Sequence, residues 1–324
     1  MGVSHFSLLR ILADGGFHSG ERLGRTLGLS RGGVRNRIRE IEALGLRMFK
    51  VRGRGYRLAE PVDLLDREML AARLKKISPV LSIEVLDECL STNTLLSERV
   101  AHGVPNGTVL ACEHQSAGRG RRGTPWVSAI GGGLAFSLLW RFPQGAGALA
   151  GLSLAVAVAI ARSLDGLGIS GVELKWPNDL YHGGRKLGGI LIEVSGEVLG
   201  PSTVIIGIGI NVRLDAGIRR RIDQPVTDLA GCGGPLPSRT LVLAALLESL
   251  AAALTQFSHE GFAPFRDEWL GRHAWQGRRV ALSIANRCVA EGEVLGIAED
   301  GALMLRSPRG IERFHSGELS LRQT

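Results

Sequence analysis

The sequence predicts an α+β protein of three units: a small N-terminal helical unit with a basic hairpin, a central mixed sheet with helices, and a C-terminal set of short strands. Three observations carry this. Helical periodicity dominates the first 45 residues, strand-like apolar runs alternate with glycine-bearing loops through the middle, and from about Gly277 short apolar runs are separated by Gly and Asp turns. The units are expected at 1–62, 63–274 and 275–324. At 324 residues, with 44 % hydrophobic and 22 % charged side chains, the chain is long and apolar enough for more than one domain with a sizeable core.

Composition also excludes classes. Cys89, Cys112, Cys232 and Cys288 lie far apart with no C-x-x-C pair, which argues against a zinc ribbon or a disulfide framework and for reduced thiols in the cytoplasm. The stretch Leu8–Ala13 is short and carries Arg10, so it suits an amphipathic helix better than a signal peptide. The run Leu149–Ile160, at about 12 residues, is too short to span a bilayer and reads as a buried helix, so no membrane partner is expected. Charge is unevenly placed: residues 1–60 hold 12 Lys+Arg against 5 Asp+Glu, a net of +7, while the remaining 264 residues hold 27 against 26. An excess confined to one unit points to a local nucleic-acid surface.

In that unit Phe6–Ala13 has a helical apolar pattern. A second helix follows Ser19-Gly20, Gly28 fits its stop, and Ser30 suits the N-cap of a third helix from about Arg31 to Leu44. Val34, Ile38 and Ile41 face the core, which leaves Arg31, Arg35, Asn36, Arg37 and Arg39 on the outer face. Helix, turn and basic helix form a helix-turn-helix whose third helix fits a major groove. Two strand-like runs, 48–51 and 56–58, flank Arg52-Gly53-Arg54-Gly55, a wing suited to phosphate or minor-groove contact. Ser30, Arg31, Arg35, Asn36, Arg37, Arg39, Arg52 and Arg54 are therefore the DNA-binding candidates; a winged helix used only for protein contact is the plainer alternative.

A helix is expected to carry the chain from Pro61 through Leu74, ending near Ser78-Pro79, into a first strand at 83–86. Five features follow. Ser91-Thr92-Asn93 precedes a helical run, where one of the hydroxyls could simply be an N-cap. Gln115 leads into Gly118-Arg119-Gly120-Arg121-Arg122-Gly123, in which glycines let the backbone approach a ligand and arginines supply permanent donors for carboxylate and phosphate. Ordered runs on both sides argue against a disordered RNA-binding stretch. Lys175-Trp176-Pro177-Asn178-Asp179 places an amide and a carboxylate at a strand end, as a plain turn also would. Lys186 precedes Gly188-Gly189 and an apolar strand. Gly207 and Gly209 alternate within an apolar strand ending at Asn211, which bares one face of a sheet. This G-x-G is not a dinucleotide fingerprint, because no third glycine opens a helix.

Together with Trp126, these motifs resemble those of the biotin–protein ligase family in order and spacing, and the N-terminal unit, with His18-Ser19-Gly20 and the Gly53-Arg54-Gly55-Tyr56 wing, resembles its bifunctional repressor members. The resemblance implies a central ligase domain, a C-terminal SH3-like barrel, and a two-step reaction. Biotin attacks the α-phosphate of ATP to give biotinyl-5′-AMP and pyrophosphate, and a lysine of the biotin carboxyl carrier protein of acetyl-CoA carboxylase then takes the biotinyl group. It further implies a biotin site of Ser91, Thr92, Asn93, Gln115, Gly118, Arg119, Gly120, Arg121, Trp126, Lys186, Gly188 and Gly189, and an ATP site of Arg119, Arg121, Arg122, Asn178, Asp179, Lys186 and Asn211. Arg121, Lys186 and Asp179 would be catalytic, with Asp179 a Mg²⁺ ligand. Operator DNA and a ligand-promoted homodimer would be the other partners. No enzyme nucleophile is needed, so Cys112 reads as packing. One departure stands out: no Trp, Tyr or Phe occurs between Asn211 and Phe257 to cover an adenine, so Pro225, Val226 or Leu229 must serve.

Beyond this, 241–257 reads as a long amphipathic helix, a shorter one runs through Trp269, and strands are expected at 279–282, 293–297 and 302–305. A ligase with a non-operator winged helix, a regulator without catalysis, and a lipoate–protein ligase are the rival readings. Intact Arg121, Asp179 and Lys186 oppose the second, and the arginine–glycine loop with Lys175–Asp179 opposes the third.

Overall fold

The computed structural model describes residues 4–77, 80–196, 200–284, 287–315 and 320–323. The N-terminal unit comprises α1 (His5–Leu12), α2 (Gly20–Leu27), α3 (Arg31–Ala43), β1 (Met48–Val51) and β2 (Gly55–Leu58). Each helix starts on a serine: the hydroxyls of Ser4, Ser19 and Ser30 accept from the backbone N–H three residues on. Gly28 ends α2 in the left-handed conformation, φ 64°. Phe6, Leu9, Leu23, Val34, Ile38 and Leu58 form a core separate from that of the rest of the chain. The wing pairs Met48 with Leu58 through to Val51 with Gly55, and Tyr56 also bridges His18. Gly55 has no alternative there, since a Cβ would lie 2.1 Å from the His18 carbonyl oxygen at φ +99°.

The helix expected from Pro61 begins only at Arg67, as α4 (Arg67–Ile77), and its expected end at Ser78-Pro79 lies outside the described residues. Residues 63–66 are held out of the helix by tertiary hydrogen bonds. Arg239 N donates to Asp63 Oδ2, Leu65 N to Glu113 Oε1 and Asp66 N to Thr240 Oγ1, while Asp66 caps α4 through Met69 N.

The central unit contains β3 (Ser82–Cys89), α5 (Thr92–Val100), β4 (Thr108–Gln115), β5 (Gly133–Phe142), α6 (Leu152–Gly166), β6 (Glu173–Lys175), β7 (Asp179–His182), β8 (Arg185–Gly196), β9 (Ser202–Asn211), α7 (Ala216–Arg221), α8 (Arg239–Glu260) and α9 (Ala263–Gly271). Its seven strands lie in the order β3-β4-β5-β9-β8-β7-β6, antiparallel except for β3 and β4. The two faces differ. Val109, Ala111, Phe136 and Ile206 point into the main core with α6 and α8, whereas Leu110, Leu139 and Ile205 meet Leu96 of α5. Two helical stretches, 146–166 and Arg239–Glu260, are long and apolar enough to cross a membrane by length and composition, but most of their apolar windows are buried in this core. The first is longer than the apolar run Leu149–Ile160 because a 3-10 turn at Ala146–Leu149 precedes α6 and α6 runs on to Gly166.

The C-terminal strands β10 (Arg279–Ile284), β11 (Arg287–Ile297), β12 (Leu303–Ser307), β13 (Gly310–Phe314) and β14 (Ser320–Gln323) form an antiparallel sheet in the order β13-β12-β11-β10-β14. The expected small barrel is thus a five-stranded sheet whose end strands do not pair with each other among the described residues. Its apolar residues Val280, Val294 and Leu305 belong to the same core as the central sheet, and Trp176 Nε1 donates to Gly301 O at 3.1 Å across the junction.

Candidate active site and candidate nucleic-acid interface

One cavity of about 950 Å³ opens over the β5-β9-β8 face. The candidates Ser91, Thr92, Asn93, Gln115, Arg119, Gly120, Arg121, Arg122, Trp126, Asn178, Asp179, Lys186, Gly189 and Asn211 all line it, although they come from segments 120 residues apart at the extremes. Gly118 and Gly188 do not. They make room behind it: a Cβ on Gly118 would lie 2.9 Å from Trp126 O, and one on Gly188 2.6 Å from Gly209 O.

One end of the cavity is polar, with the charges of Arg119 and Glu193 paired to each other. Ser91 sits at the N-cap position of α5, yet its hydroxyl makes no capping hydrogen bond, so the plain capping reading fails for it. Thr92 N and Oγ1 both donate to Gln115 Oε1, at 2.7 and 3.1 Å, and Ser137 Oγ donates to Asn93 Oδ1 at 2.5 Å and lies 2.7 Å from Thr92 Oγ1. Asn93 Nδ2 donates to Glu193 Oε2 at 2.8 Å, and the same carboxylate pairs with Arg119 at 2.8 Å. Such a fixed set of donors and acceptors suits a neutral hydrogen-bonding group like a ureido ring. Ser137 and Glu193 were missed from sequence; strand alternation alone could have placed them on the sheet face, but nothing local tied them to Thr92 and Arg119.

The floor is glycine because side chains arrive from above. A Cβ on Gly207 would lie 2.2 Å from Asn93 Oδ1, and one on Gly209 2.5 Å from the Trp126 ring. The arginine–glycine loop, rather than being open, folds into a tight hairpin, with Gly120 N donating to Thr124 O at 2.7 Å and Trp126 N to Gly118 O at 2.8 Å. Within it Arg122 adopts φ 57°, a left-handed conformation that costs a non-glycine residue energy.

The other end is cationic. Lys186 Nζ meets Asp179 Oδ1 at 2.7 Å, Lys175 Nζ lies 4.0 Å from Asp179 Oδ2, and Arg121 donates to Asn178 Oδ1 at 3.3 Å. Burial disfavours the Arg121 charge, Asp179 favours it and Arg122 opposes it. Among the described residues that line the cavity, Asp179 and Asp223 stand against Arg119, Arg121, Arg122, Lys175, Lys186 and Arg221, an excess of positive charge suited to a carboxylate and a polyphosphate. Among the described residues no group of three or more His, Cys, Asp or Glu is placed to hold a metal. Of the two carboxylates that line the cavity, Asp179 and Asp223, Asp179 is the one beside Asn178 and Lys186, and it would serve a Mg²⁺ carried in on phosphate oxygens, since such ions commonly take one or two protein carboxylates.

At the rim, a strap follows α7. Lys186 N donates to Pro225 O, Thr227 N to Lys186 O and Asn211 Nδ2 to Thr227 O, and Arg219 pairs with Asp228. Of the three residues expected to replace an aromatic cover, Val226 lines the cavity; Pro225 and Leu229 do not, but Ile222 does. Cys112 is buried, and both the neighbouring Cys89 and burial push its thiol far above the usual range, which fits packing.

On the N-terminal unit, Arg31, Arg35, Asn36 and Arg39 are exposed along α3, and Arg52 and Arg54 are exposed at the wing. Ser30 Oγ is engaged as the α3 cap, at 3.1 Å from Gly33 N, and Arg37 pairs with Glu40 at 2.6 Å. Arg54 lies 4.2 Å over the Phe17 ring. Helix face and wing together present a cationic surface of the kind that contacts phosphates.

Comparison with known proteins agrees with this arrangement. The Biotin/lipoate A/B protein ligase family matches residues 86–211, an HTH domain matches 5–57 and the Biotin protein ligase C terminal domain matches 277–322. The bifunctional ligase/repressor BirA of Escherichia coli is 39 % identical over 320 residues, covering 97 % of this chain and 96 % of its own. The biotin–[acetyl-CoA-carboxylase] ligase of Paracoccus denitrificans is 36 % identical over 228 residues, 68 % of this chain and 93 % of its own. The solved biotin protein ligase of Aquifex aeolicus in complex with biotin and ATP superposes with a TM-score of 0.64 at 30 % identity, covering 75 % of this chain and 99 % of that one. The chain belongs to the biotin protein ligase family, in the form that carries an N-terminal HTH domain.

Proposed function

We propose that this protein activates biotin with ATP, transfers it to a lysine of the biotin carboxyl carrier protein of acetyl-CoA carboxylase, and represses transcription by binding operator DNA. The observation that carries the enzymatic reading is the pairing of a hydrogen-bonding end, Thr92–Gln115–Asn93 backed by Ser137, with a cationic end, Arg121–Lys186–Lys175, in one cavity. The ureido ring fits the first and the two anions fit the second. Units 1–62, 63–274 and 275–324 would then divide the work into DNA binding, catalysis and support of the nucleotide end.

In this reading a carboxylate oxygen of biotin attacks the α-phosphorus, the bond to the bridging oxygen of the β-phosphate breaks, and pyrophosphate leaves. Arg121 and Lys186 hold the carboxylate and the α-phosphate together and offset the charge on the crowded phosphorus. Asp179 orients Lys186, and Arg122 and Asn178 serve the phosphates; Mg²⁺ would offset charge on the triphosphate with Asp179 as its protein ligand. Trp126, held against Gly209, covers the aliphatic tail of biotin, and the 222–226 strap shields the mixed anhydride. The neutral amine of the acceptor lysine then attacks the acyl carbon, AMP leaves, and the nitrogen loses a proton.

The strand β8 supports a homodimer. Its ladder with β7 ends at Gly189 and Ile190 is bonded through both backbone groups to Asn178, whereas its pairing with β9 continues to Gly196, so 191–196 offers an edge for a second copy among the described residues. Glu193 on that edge is bonded to Arg119 and Asn93 of the cavity, which links ligand binding to association. A cytoplasmic site of action follows from ATP, carrier protein and operator as partners.

Incubation with ATP, Mg²⁺, biotin and the carrier domain should label one lysine, and biotin should promote exchange of labelled pyrophosphate into ATP. Lipoate transfer without biotin transfer, or no exchange by folded protein, would overturn the enzymatic reading. Failure to retard the upstream DNA of biotin-synthesis genes with biotin and ATP present would overturn the repressor reading.

A further inference from the structure

Phe17 lies in the segment between α1 and α2, outside both α3 and the wing, and its half-buried ring does not join the apolar core of the N-terminal unit. Two arginines of the wing cover it instead: the Arg54 guanidinium lies 4.2 Å over the ring and that of Arg57 5.0 Å. Arg57 also lies 5.0 Å over the ring of Phe49, its partner across the hairpin, which is 46 % exposed. Arg57 Nε is buried with no hydrogen-bond partner among the described residues, as fits a guanidinium packed against rings. Phe6 is thus spent on the core, whereas Phe17 and Phe49 are spent on arginines.

These arginines keep their charge uncompensated. The five carboxylates of residues 1–60, Asp14, Glu21, Glu40, Glu42 and Glu60, are each bonded to some other basic side chain. Among the described residues no carboxylate pairs with Arg54 or Arg57. A ring against a guanidinium holds it without neutralising it and leaves N–H groups free for an anion. It also orders a long side chain in advance, so less entropy is lost on binding. Two like charges brought to one ring repel each other, and an anion that binds both offsets that cost. The phosphates of duplex DNA supply such anions in a regular row.

We infer that Phe17 is a positioning residue for DNA binding: it fixes Arg54 and Arg57 as a cationic pair that takes backbone phosphates beside the groove entered by α3. Arg57 thereby becomes a DNA contact, and Phe17 and Phe49 its supports. Because phosphates carry no base sequence, the pair adds affinity for any duplex rather than for the operator alone. The inference rests on the DNA-binding reading above, since it needs a duplex at the wing.

The test uses full-length protein with biotin and ATP, and gel shifts across a salt series on two duplexes of equal length: the upstream DNA of biotin-synthesis genes and an unrelated sequence. Phe17→Leu should weaken binding to both by about 5-fold, the range expected when a cation–π contact is lost. Arg57→Ala should weaken both as well and lower the salt slope by about one. Added to Phe17→Leu, Arg57→Ala should cost less than about two-fold more, because the two act through one contact. Phe17→Tyr should bind as wild type, and pyrophosphate exchange should be unchanged in all variants. A full further loss from Arg57→Ala in the Phe17→Leu background, a loss confined to the upstream duplex, or no recovery with tyrosine would overturn the inference. If Phe17→Leu does not fold, Arg57→Ala and Phe17→Tyr decide, and an unchanged salt slope in Arg57→Ala overturns it. Wild-type protein that retards neither duplex would sink the DNA-binding reading itself; normal wild-type binding with unchanged variants would sink only this inference.

Discussion

The Arg239 guanidinium and the Glu113 carboxylate meet at 2.7 Å with neither side chain exposed. Arg239 also donates to the carbonyls of Asp63 and Gly133, and Glu113 accepts from Leu65 N. The pair thus ties the segment leaving the winged helix to β4, β5 and the start of α8. Breaking a buried pair from one side strands the other charge, so Glu113→Gln should destabilise the central unit by about 3–5 kcal/mol. Urea unfolding is the measurement, and Glu113→Gln combined with Arg239→Met should cost clearly less than the two single losses added. Strict additivity would show that the two groups do not share their energy.

Gly207 and Gly209 offer a contrast within one strand. Alanine at 207 would press on Asn93, which Ser137 and Glu193 hold in place, while alanine at 209 would press on the Trp126 ring. Gly207→Ala should raise the Kd for biotin by more than about 10-fold, because a polar group lost from a hydrogen-bonded site costs about 1–3 kcal/mol. Calorimetric titration with biotin alone reads this out, and an unchanged Kd would remove Asn93 from the biotin site.

Arg35 and Arg37 lie two positions apart on α3, but only Arg35 is exposed; Arg37 is paired with Glu40. Arg35→Ala should weaken operator binding and, if it contacts phosphate, lower the salt slope by about one. Arg37→Ala should have the smaller effect. Gel shifts across a salt series compare them, with pyrophosphate exchange unaffected in both; a larger loss at Arg37 would contradict the assigned face.

His273 is buried, with its Nδ1 against Gln276 and its ring against Trp269, and burial brings its pKa down from 6.5 to about 4 despite the Gln276 contact. The unfolded chain therefore binds this proton first as pH falls. Its contribution is fully present above about pH 6.5, is lost progressively toward pH 4, and amounts to about 3 kcal/mol across that window. His273→Gln should flatten this part of the stability profile. Denaturation at pH 7, 5.5 and 4.5 checks it, and parallel profiles for variant and wild type would count against a neutral buried imidazole.

Local chemistry determined a good deal of this protein. Ser30 followed by a 3.6-residue apolar repeat specifies α3, the arginines left over specify its outer face, and glycines inside apolar strands mark where a sheet is bared. These signals need only near neighbours, because capping, periodicity and backbone freedom are properties of a few consecutive residues. Tertiary structure decided the rest: that Asp63–Asp66 is pulled out of α4, that Glu193 and Ser137 hold Asn93 in place behind the polar end of the cavity, that Arg37 is already paired, and that Trp275 reaches Lys175 from 100 residues away in sequence. Each of those contacts joins side chains that are unremarkable in their own segments, and only the packing of one sheet against its helices brings them within hydrogen-bonding or ring-contact distance.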